Sequence, residues 1–233
     1  LGYIDIQRML EPRLIYGSYP DILNQSADTQ MLLRNLTDSY LYKDILATEN
    51  IRKPDLLDKL LRALAYQVGS EVSYNELAQT VGSDSKTVEK YIELLEKCFI
   101  IFRLNGLSRN LRNELKKAKK IYFYDNGIRN AVIQQFAPLE IRNDVGALWE
   151  NFFISERIKR NHYLQYYCNM YFWRTQSQQE IDYIEERDGM MTVFEMKWNP
   201  KKANTSIPEA FLKAYPIKET TIITPENYLD WLL

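Results

Sequence analysis

The chain has 233 residues, of which 45% are hydrophobic and 26% charged, so it can build one large core or two small ones. The formal net charge of −1 means that any binding to nucleic acid depends on a local basic patch. A membrane span needs about 20 consecutive apolar residues, and no apolar run of the sequence is that long. Asp5 and Arg8 lie within the first ten residues, which is not the pattern of a secretory signal.

The scarce residue types narrow the chemistry further. His162 is the only histidine, which excludes an HExxH site and a multi-histidine metal centre, so chemistry here has to use carboxylates, lysine or arginine. Cys98 and Cys168 lie singly in apolar stretches and are expected to be buried thiols in a reducing cytoplasm. No GxxxxGKS/T or GxGxxG phosphate loop occurs. The chain starts at Leu1, and we expect it to be part of a longer protein.

Residues 1–50 are predicted to be a helical connector. A turn is indicated at 17–20, where glycine, serine and proline cluster. Leu32, Leu33, Leu36, Tyr40 and Leu41 recur at helical spacing.

Residues 51–125 are predicted to form a winged helix-turn-helix. An amphipathic helix follows Pro54 and ends at Gly69, a second begins at the capping box of Ser73 and Glu76, and a third is capped by Ser83 or Asp84. Strands are indicated at 99–102 and 121–124. Three helices followed by a β-hairpin are the elements of this DNA-binding module.

The hairpin tip is the basic part of this module, with six cations against one acid between residues 108 and 120. The candidate phosphate contacts are Arg109, Arg112, Lys116, Lys117, Lys119 and Lys120 on the hairpin, with Lys86 and Lys90 on the third helix. Glu89 and Glu93 share the surface of that helix and would repel phosphates. A solvated loop, or a face for a partner protein, fits the hairpin charges as well.

Residues 126–233 are predicted to form an α/β domain. Helices are indicated at 126–136, after Asp125, and from an N-cap at 143 or 144 through Ile158. Strands follow at 164–174, 180–186 and 191–198, the last two joined by a turn at Asp188 and Gly189. A helix at 207–215, a strand at 220–223 and a closing helix complete the domain.

Carboxylates on two neighbouring strands form the candidate site. If the turn at 188–189 pairs these strands, Asp182 and Glu195 converge, and Lys197 lies beside them because side chains alternate along a strand. Two carboxylates can hold Mg²⁺, which polarises a phosphodiester and activates water, and an ammonium can stabilise the developing charge. The same pattern is also typical of charged side chains that lie on a protein surface in contact with solvent and have no catalytic role.

A series of motifs resembles the C-terminal region of bacterial and archaeal AAA-type ATPases that carry a C-terminal domain of unknown function. The motifs are, in chain order, YGSYP at 16–20, YKD at 42–44, YFYDNGIRN at 122–130, GALWENF at 146–152, FWR at 172–174, EID at 180–182 and FEMK at 194–197. The resemblance covers nearly the whole chain. It implies an upstream ATPase module that would hold the ATP, so that this chain itself is not expected to hydrolyse ATP. It also implies a restriction-endonuclease-like PD-(D/E)xK fold for residues 126–233.

The resemblance assigns the catalytic positions to Glu150, Asp182, Glu195 and Lys197, with Asp182 and Glu195 as ligands of Mg²⁺. The strict nuclease motif has a proline directly before the aspartate, but Asp182 follows Ile181. This departure leaves open whether the domain is active. A purely structural role also fits two residues of these motifs: Asp125 as a helix cap and Arg129 as the partner of an acid.

The sequence thus predicts a cytoplasmic α+β chain, a winged helix followed by a nuclease-like domain with a mixed central sheet, whose partners are DNA and the ATPase module. Phosphodiester hydrolysis is the first functional hypothesis. A catalytically inactive module that binds DNA or protein and regulates the ATPase is the second. A winged helix used only for docking or homo-oligomer formation is the third.

Overall fold

The computed structural model describes residues 3–24, 28–38, 53–109, 118–199, 201 and 206–233. The chain forms two compact units, one of residues 1–102 and 121–144 and one of residues 103–120 and 145–233. The first unit therefore extends beyond residue 125, where the sequence analysis placed the start of the last domain. It does so because the helix that follows Asp125 packs against three earlier helices.

The first unit is helical over most of its described length. Its helices are α1 (Tyr3–Arg8), α2 (Leu10–Tyr16), α3 (Pro20–Leu23), α4 (Thr29–Asp38), α5 (Pro54–Tyr66), α6 (Tyr74–Val81), α7 (Ser85–Lys97) and α8 (Asn126–Val132), followed by a 3-10 turn at Leu139–Ile141. Of the predicted apolar stripe in α4, Leu33 is fully buried, whereas Tyr40 and Leu41 lie outside the described residues.

Side-chain caps fix where three of these helices begin. Ser73 Oγ accepts a hydrogen bond from the Glu76 amide at 3.4 Å, as the capping box predicts. Asp84 Oδ1 accepts one from the Thr87 amide at 2.9 Å, so Asp84 and not Ser83 caps α7. Asp125 caps α8, which ends at Val132, four residues earlier than predicted.

Two of the sequence motifs pack directly against each other in this unit. The Ser18 amide donates to Asp125 Oδ2 at 2.7 Å, and the backbone at Gly17 and at Gly127 passes so close to the other segment that neither position has room for a side chain. Residues 16–18 and 125–127 therefore form one tightly packed junction within the unit.

Buried polar side chains of α8 join helices from distant parts of the sequence. Asn130 Nδ2 donates to the carbonyl oxygens of Leu14 and Ile15 at 3.1 and 2.8 Å, and Arg129 Nε donates to that of Ala65 at 2.7 Å. These bonds satisfy polar groups away from water and make the N-terminal helices part of this unit, not a separate connector.

The second unit is built on strands. The strands of the chain are β1 (Ile101–Gly106), β2 (Lys119–Phe123), β3 (Asn169–Arg174), β4 (Glu180–Arg187), β5 (Met190–Met196) and β6 (Ile217–Ile223), and the helices of the second unit are α9 (Val145–Tyr163), α10 (Glu209–Ala214) and α11 (Leu229–Leu232). The six-stranded sheet has the order β2-β1-β3-β4-β5-β6. Since β1–β3 and β5–β6 are parallel while β3–β4 and β4–β5 are antiparallel, the sheet is mixed and the predicted α+β class is confirmed.

The first two strands differ from their predicted role. β1 pairs in parallel with β3, with Asn105 opposite Tyr171, so it is part of the larger sheet and not one arm of an isolated hairpin. The pairing of β4 and β5 is as predicted. Asp188 and Gly189 both have positive φ, 53° and 78°, as a two-residue hairpin turn requires.

Apolar side chains cover both faces of the sheet in the second unit. One face carries Trp173, Ile184, Val193 and Phe211, and on the other Phe194 lies 5.8 Å from Phe153 of α9 between ring centroids. Alternation along β5 places Val193 and Phe194 in these two separate layers.

Helix α9 is attached to the sheet by polar contacts. Arg157 of α9 forms a buried ion pair with Glu185 of β4 through two contacts of 2.9 Å. Trp149 Nε1 of the same helix donates to the Ile223 carbonyl of β6 at 3.3 Å. These contacts fix the rotation of α9 and with it the direction of Glu150. None of the helices in the described residues is both long and apolar enough to cross a membrane.

Candidate active site

The candidate site begins where β4 and β5 lie side by side. Tyr183 is opposite Phe194, which places Asp182 next to Glu195 on the neighbouring strand. The Asp182 amide donates to Glu195 Oε1 at 3.3 Å, and the Met196 amide donates to Asp182 Oδ2 at 2.9 Å. Each carboxylate is thus held by the backbone of the strand that carries the other.

Lys197 lies immediately after β5 and completes the arrangement. Its Nζ donates to Glu195 Oε2 at 3.0 Å and lies 3.9 Å from Asp182 Oδ2. The two carboxylate oxygens therefore cannot be farther apart than these two distances together. The structure brings Asp182, Glu195 and Lys197 together, with the two carboxylates on either side of one cation, the Lys197 ammonium.

Burial and like charge give these groups unusual proton affinities. Burial, followed by the negative charge of Asp182, raises the pKa of Glu195 to about 7, although Lys197 acts in the opposite direction. Burial alone would lower the pKa of Lys197, but Asp182 and Glu195 raise it above its ordinary value. The pair of acids therefore stabilises positive charge at this position.

Glu150, the fourth predicted position, faces a different cation. Its Oε1 lies 3.2 Å from Nζ of Lys120, which comes from β2, and the same Nζ lies 2.5 Å from Glu180 Oε1 at the start of β4. Glu150 also contributes to the electrostatic environment of Lys197. Glu150 is thus part of the charged cluster through its ion pair with Lys120.

Two members of this cluster were missed as site residues. The sequence analysis assigned Lys120 to DNA phosphates because it ends a basic run, but its side chain is only 3% exposed and is paired with acids. That assignment is corrected, since a buried and neutralised ammonium is not part of a basic surface. The sequence analysis did not predict Glu180 as a site residue. Strand alternation, which places Lys120 on the same face as the buried Tyr122, is the one clue that the sequence held.

The donor set limits what the site can bind. The described residues contain no group of three or more histidine, cysteine, aspartate or glutamate side chains arranged to hold a metal ion. Asp182 and Glu195 offer hard oxygen donors from two side chains, which suits an ion such as Mg²⁺ that keeps several of its waters. The residues present therefore fit one hydrated Mg²⁺.

The other predicted DNA contacts lie in several places. Lys86 and Lys90 are exposed on α7, and Lys119 is partly exposed on β2. Arg109 makes contacts of 2.5 and 2.8 Å with the two carboxylate oxygens of Glu186 and a third, of 3.0 Å, with the Tyr171 hydroxyl, so an acid already neutralises it. Arg112, Lys116 and Lys117 lie outside the described residues.

Neither cysteine nor the histidine belongs to this cluster. Cys98 and Cys168 form no disulfide and are partly exposed, which corrects the expectation that both are buried. Burial nonetheless raises the pKa of the Cys168 thiol to about 11. His162 is exposed in the last turn of α9.

Comparison with known proteins gives relatives of undetermined activity. The chain is 28% identical over 136 residues to an uncharacterized protein of Mycobacterium tuberculosis and to one of Mycobacterium bovis, and 25% identical over 124 residues to one of Haemophilus influenzae. These alignments cover 58%, 58% and 51% of the chain but 30%, 30% and 31% of the relatives, so the matched part is about a third of each relative's length. No solved structure matches the chain.

Two family models divide the chain close to the boundary between the compact units. The model described as Domain of unknown function (DUF4143) matches residues 145–231, which include all of the site on β4, β5 and α9. The model described as Domain of unknown function (DUF8612) matches residues 7–139. Because the match at residues 7–139 covers more than half of the chain, the chain belongs to the family DUF8612.

Proposed function

We propose that the second unit is a nuclease-like module that hydrolyses phosphodiester bonds with the help of a divalent cation. The observation that carries the proposal is the meeting of Asp182 and Glu195 around the Lys197 ammonium, with contacts of 3.9 and 3.0 Å. Two carboxylates and a lysine on adjacent strands of a mixed sheet also fit the restriction-endonuclease-like fold.

Each side chain has a distinct task in this proposal. Asp182 and Glu195 would hold the cation, which when bound supplies a Lewis acid for the phosphate and a more acidic bound water. Lys197 would place its ammonium beside the phosphate and stabilise the negative charge that develops on its oxygens. The backbone amides of Asp182 and Met196 orient the two carboxylates before any ligand arrives.

The proposed setting is the C-terminal region of an AAA-type ATPase that associates with DNA. The relatives are about three times as long as the matched segment, which leaves room in them for an ATPase module. Helices α5 to α7, followed by β1 and β2, have the order of a winged helix, and the exposed Lys86 and Lys90 on α7 are available for phosphates. Cytoplasmic localisation belongs to the same proposal.

A specific observation favours a second candidate, a catalytically inactive module of the same fold. Glu150, at one of the nuclease positions, is paired with Lys120, which leaves the site two carboxylates for a metal ion. Such a module would bind DNA or protein and regulate the ATPase without cutting. The two candidates differ in a single property, metal-dependent cleavage.

Nicking of supercoiled plasmid DNA separates them. With Mg²⁺ or Mn²⁺ we expect the wild-type chain to produce nicked circles. We expect Asp182→Asn and Lys197→Met to lose at least about 100-fold of the rate, because the first removes a charged metal ligand and the second removes the charge that stabilises the reacting phosphate. Asp188→Asn makes the same substitution at an exposed turn position, where the side chain is 91% accessible, and should cut at the wild-type rate. Equal cleavage by Asp182→Asn, or none by the wild-type chain with either metal, favours the inactive module.

A further inference from the structure

Lys120 is a buried cation among acidic side chains. Its side chain is 3% exposed, and its Nζ lies 3.2 Å from Glu150 Oε1 and 2.5 Å from Glu180 Oε1. The ammonium also lies 5.4 Å from the centroid of the Phe172 ring, a cation–π contact that closes the apolar side of the site. Lysine is rarely buried to this degree unless it is paired, so the acids explain its position.

The acids keep this lysine charged. Burial by itself would lower the pKa of Lys120, but the charges of Glu150, Glu180 and Asp182 outweigh burial and raise the pKa above its ordinary value. The influence of Asp182 means that Lys120 belongs to the same electrostatic cluster as the proposed metal ligands. One positive charge is therefore built into the protein next to the place where a metal ion would bind.

We propose that Lys120 occupies the place of a second metal ion, so that the site takes one divalent cation and not two. This inference rests on the proposed function. Glu150 and Glu180 are the oxygen donors that a second ion would use, and both are paired with Lys120, while Glu180 also lies 3.7 Å from Nε of Arg174. Glu150 is then a positioning residue, held by Lys120, and Asp182 and Glu195 remain as the metal ligands.

The site has a matched control in its second lysine. Lys197 contacts Asp182 and Glu195, but its side chain is 26% exposed, whereas that of Lys120 is enclosed. Lys197→Ala and Lys120→Ala remove the same charge from the same cluster. The Lys120 substitution alone removes the cation that pairs with Glu150 and Glu180.

Calorimetric titration with Mn²⁺ tests this inference. We expect one Mn²⁺ per chain for the wild-type protein and for Lys197→Ala, and two per chain for Lys120→Ala. One ion in Lys120→Ala, or two in both variants, overturns the role of Lys120 but leaves the proposed function intact. No binding by the wild-type chain overturns the proposed function and this inference with it.

Circular dichroism reports whether Lys120→Ala folds. If it does not, a milder variant provides a second test. Glu150→Gln keeps the shape of the side chain and removes its charge. If Lys120 already neutralises Glu150, we expect one Mn²⁺ per chain and a Kd within about fivefold of wild type, the size of a screened charge effect. A Kd raised by more than about tenfold, the loss typical of disturbing a metal site, overturns the inference because the charge of Glu150 then supports the bound metal ion and is not taken up by Lys120.

Discussion

At the scale of single residues, two glycines explain why the motifs YGSYP and YFYDNGIRN occur together. A Cβ on Gly17, which has a φ of 79°, would lie 2.0 Å from Asp125 Oδ1, and a Cβ on Gly127 would lie 2.1 Å from the backbone oxygen of Tyr16. Atoms cannot approach so closely, and a backbone oxygen cannot rotate away as a side chain can. Glycine is therefore required on both sides of the contact between α2 and α8.

Substitution of Gly127 tests this requirement. We expect Gly127→Ala to lower the free energy of unfolding by about 1–3 kcal/mol, because the new methyl group forces the two backbone segments apart. Gly146→Ala is the control, since a Cβ there meets nothing within 4 Å in helix α9. It should leave stability unchanged or raise it by up to about 1 kcal/mol. Urea denaturation measures both, and equal stability of the two variants would contradict the described packing.

At the scale of elements, the segment between α8 and α9 is held by an ion-pair network centred on Asp144. Its Oδ2 lies 2.6 Å from Nη1 of Arg129, and its Oδ1 lies 2.8 Å from Nε of Arg142. Both arginine side chains are almost completely buried, at 3% and 0% exposure. Partial burial would raise the pKa of Asp144, but the hydrogen bonds from Arg142 and Arg129 outweigh it and lower the pKa to about 2.

This pKa predicts how stability depends on pH. The folded-state pKa of about 2 lies below the reference value of 3.8, so Asp144 contributes its full stabilisation above about pH 4 and loses it as the pH falls toward 2. Asp144→Asn should be less stable than wild type by roughly 2 kcal/mol at pH 7. The difference should shrink below about pH 4, because wild-type Asp144 also becomes neutral there.

Urea denaturation of wild type and Asp144→Asn at a series of pH values from 7 to 3 measures this difference. Asp188→Asn, at an exposed turn, is the control and should change the free energy of unfolding by less than about 0.5 kcal/mol. A difference between wild type and Asp144→Asn that stays constant down to pH 3 would show that the network does not hold Asp144 ionised.

Local chemistry made several elements predictable from the sequence. Ser73, Asp84 and Asp125 cap helices because a short polar side chain reaches the amide three residues later. Asp188 and Gly189 form the turn that pairs β4 with β5, and this pairing, together with side-chain alternation, brings Asp182 beside Glu195. All of these inferences use residues close together in the sequence.

The features that sequence reasoning missed depend on contacts between distant residues. Lys120 meets Glu150 and Glu180, which lie 30 and 60 positions away, and nothing in the basic run around it indicates that one of its cations is buried. The parallel pairing of β1 with β3 likewise joins residues 105 and 171. Because β1 and β2 belong to the larger sheet, charge patterns alone could not separate a surface lysine from a buried one.

At the scale of the whole molecule, the chain combines two units that differ in structure and in family match. The helical unit corresponds to the match at residues 7–139, and most of the unit with the charged cluster corresponds to the match at residues 145–231. With a net charge of −1, the chain has no general attraction for DNA. In the proposed function, binding to DNA therefore depends on local sets of exposed cations, and the chemistry depends on one acidic site in the second unit.

The affinity of that acidic site for Mn²⁺ tests the central claim most directly. Equilibrium titration of the wild-type chain should show saturable binding. Asp182→Asn should raise the Kd by at least about tenfold, because it removes a charged oxygen ligand, and Asp188→Asn should leave the Kd unchanged. Failure of the wild-type chain to bind Mn²⁺, or identical affinity in wild type and Asp182→Asn, would contradict the account.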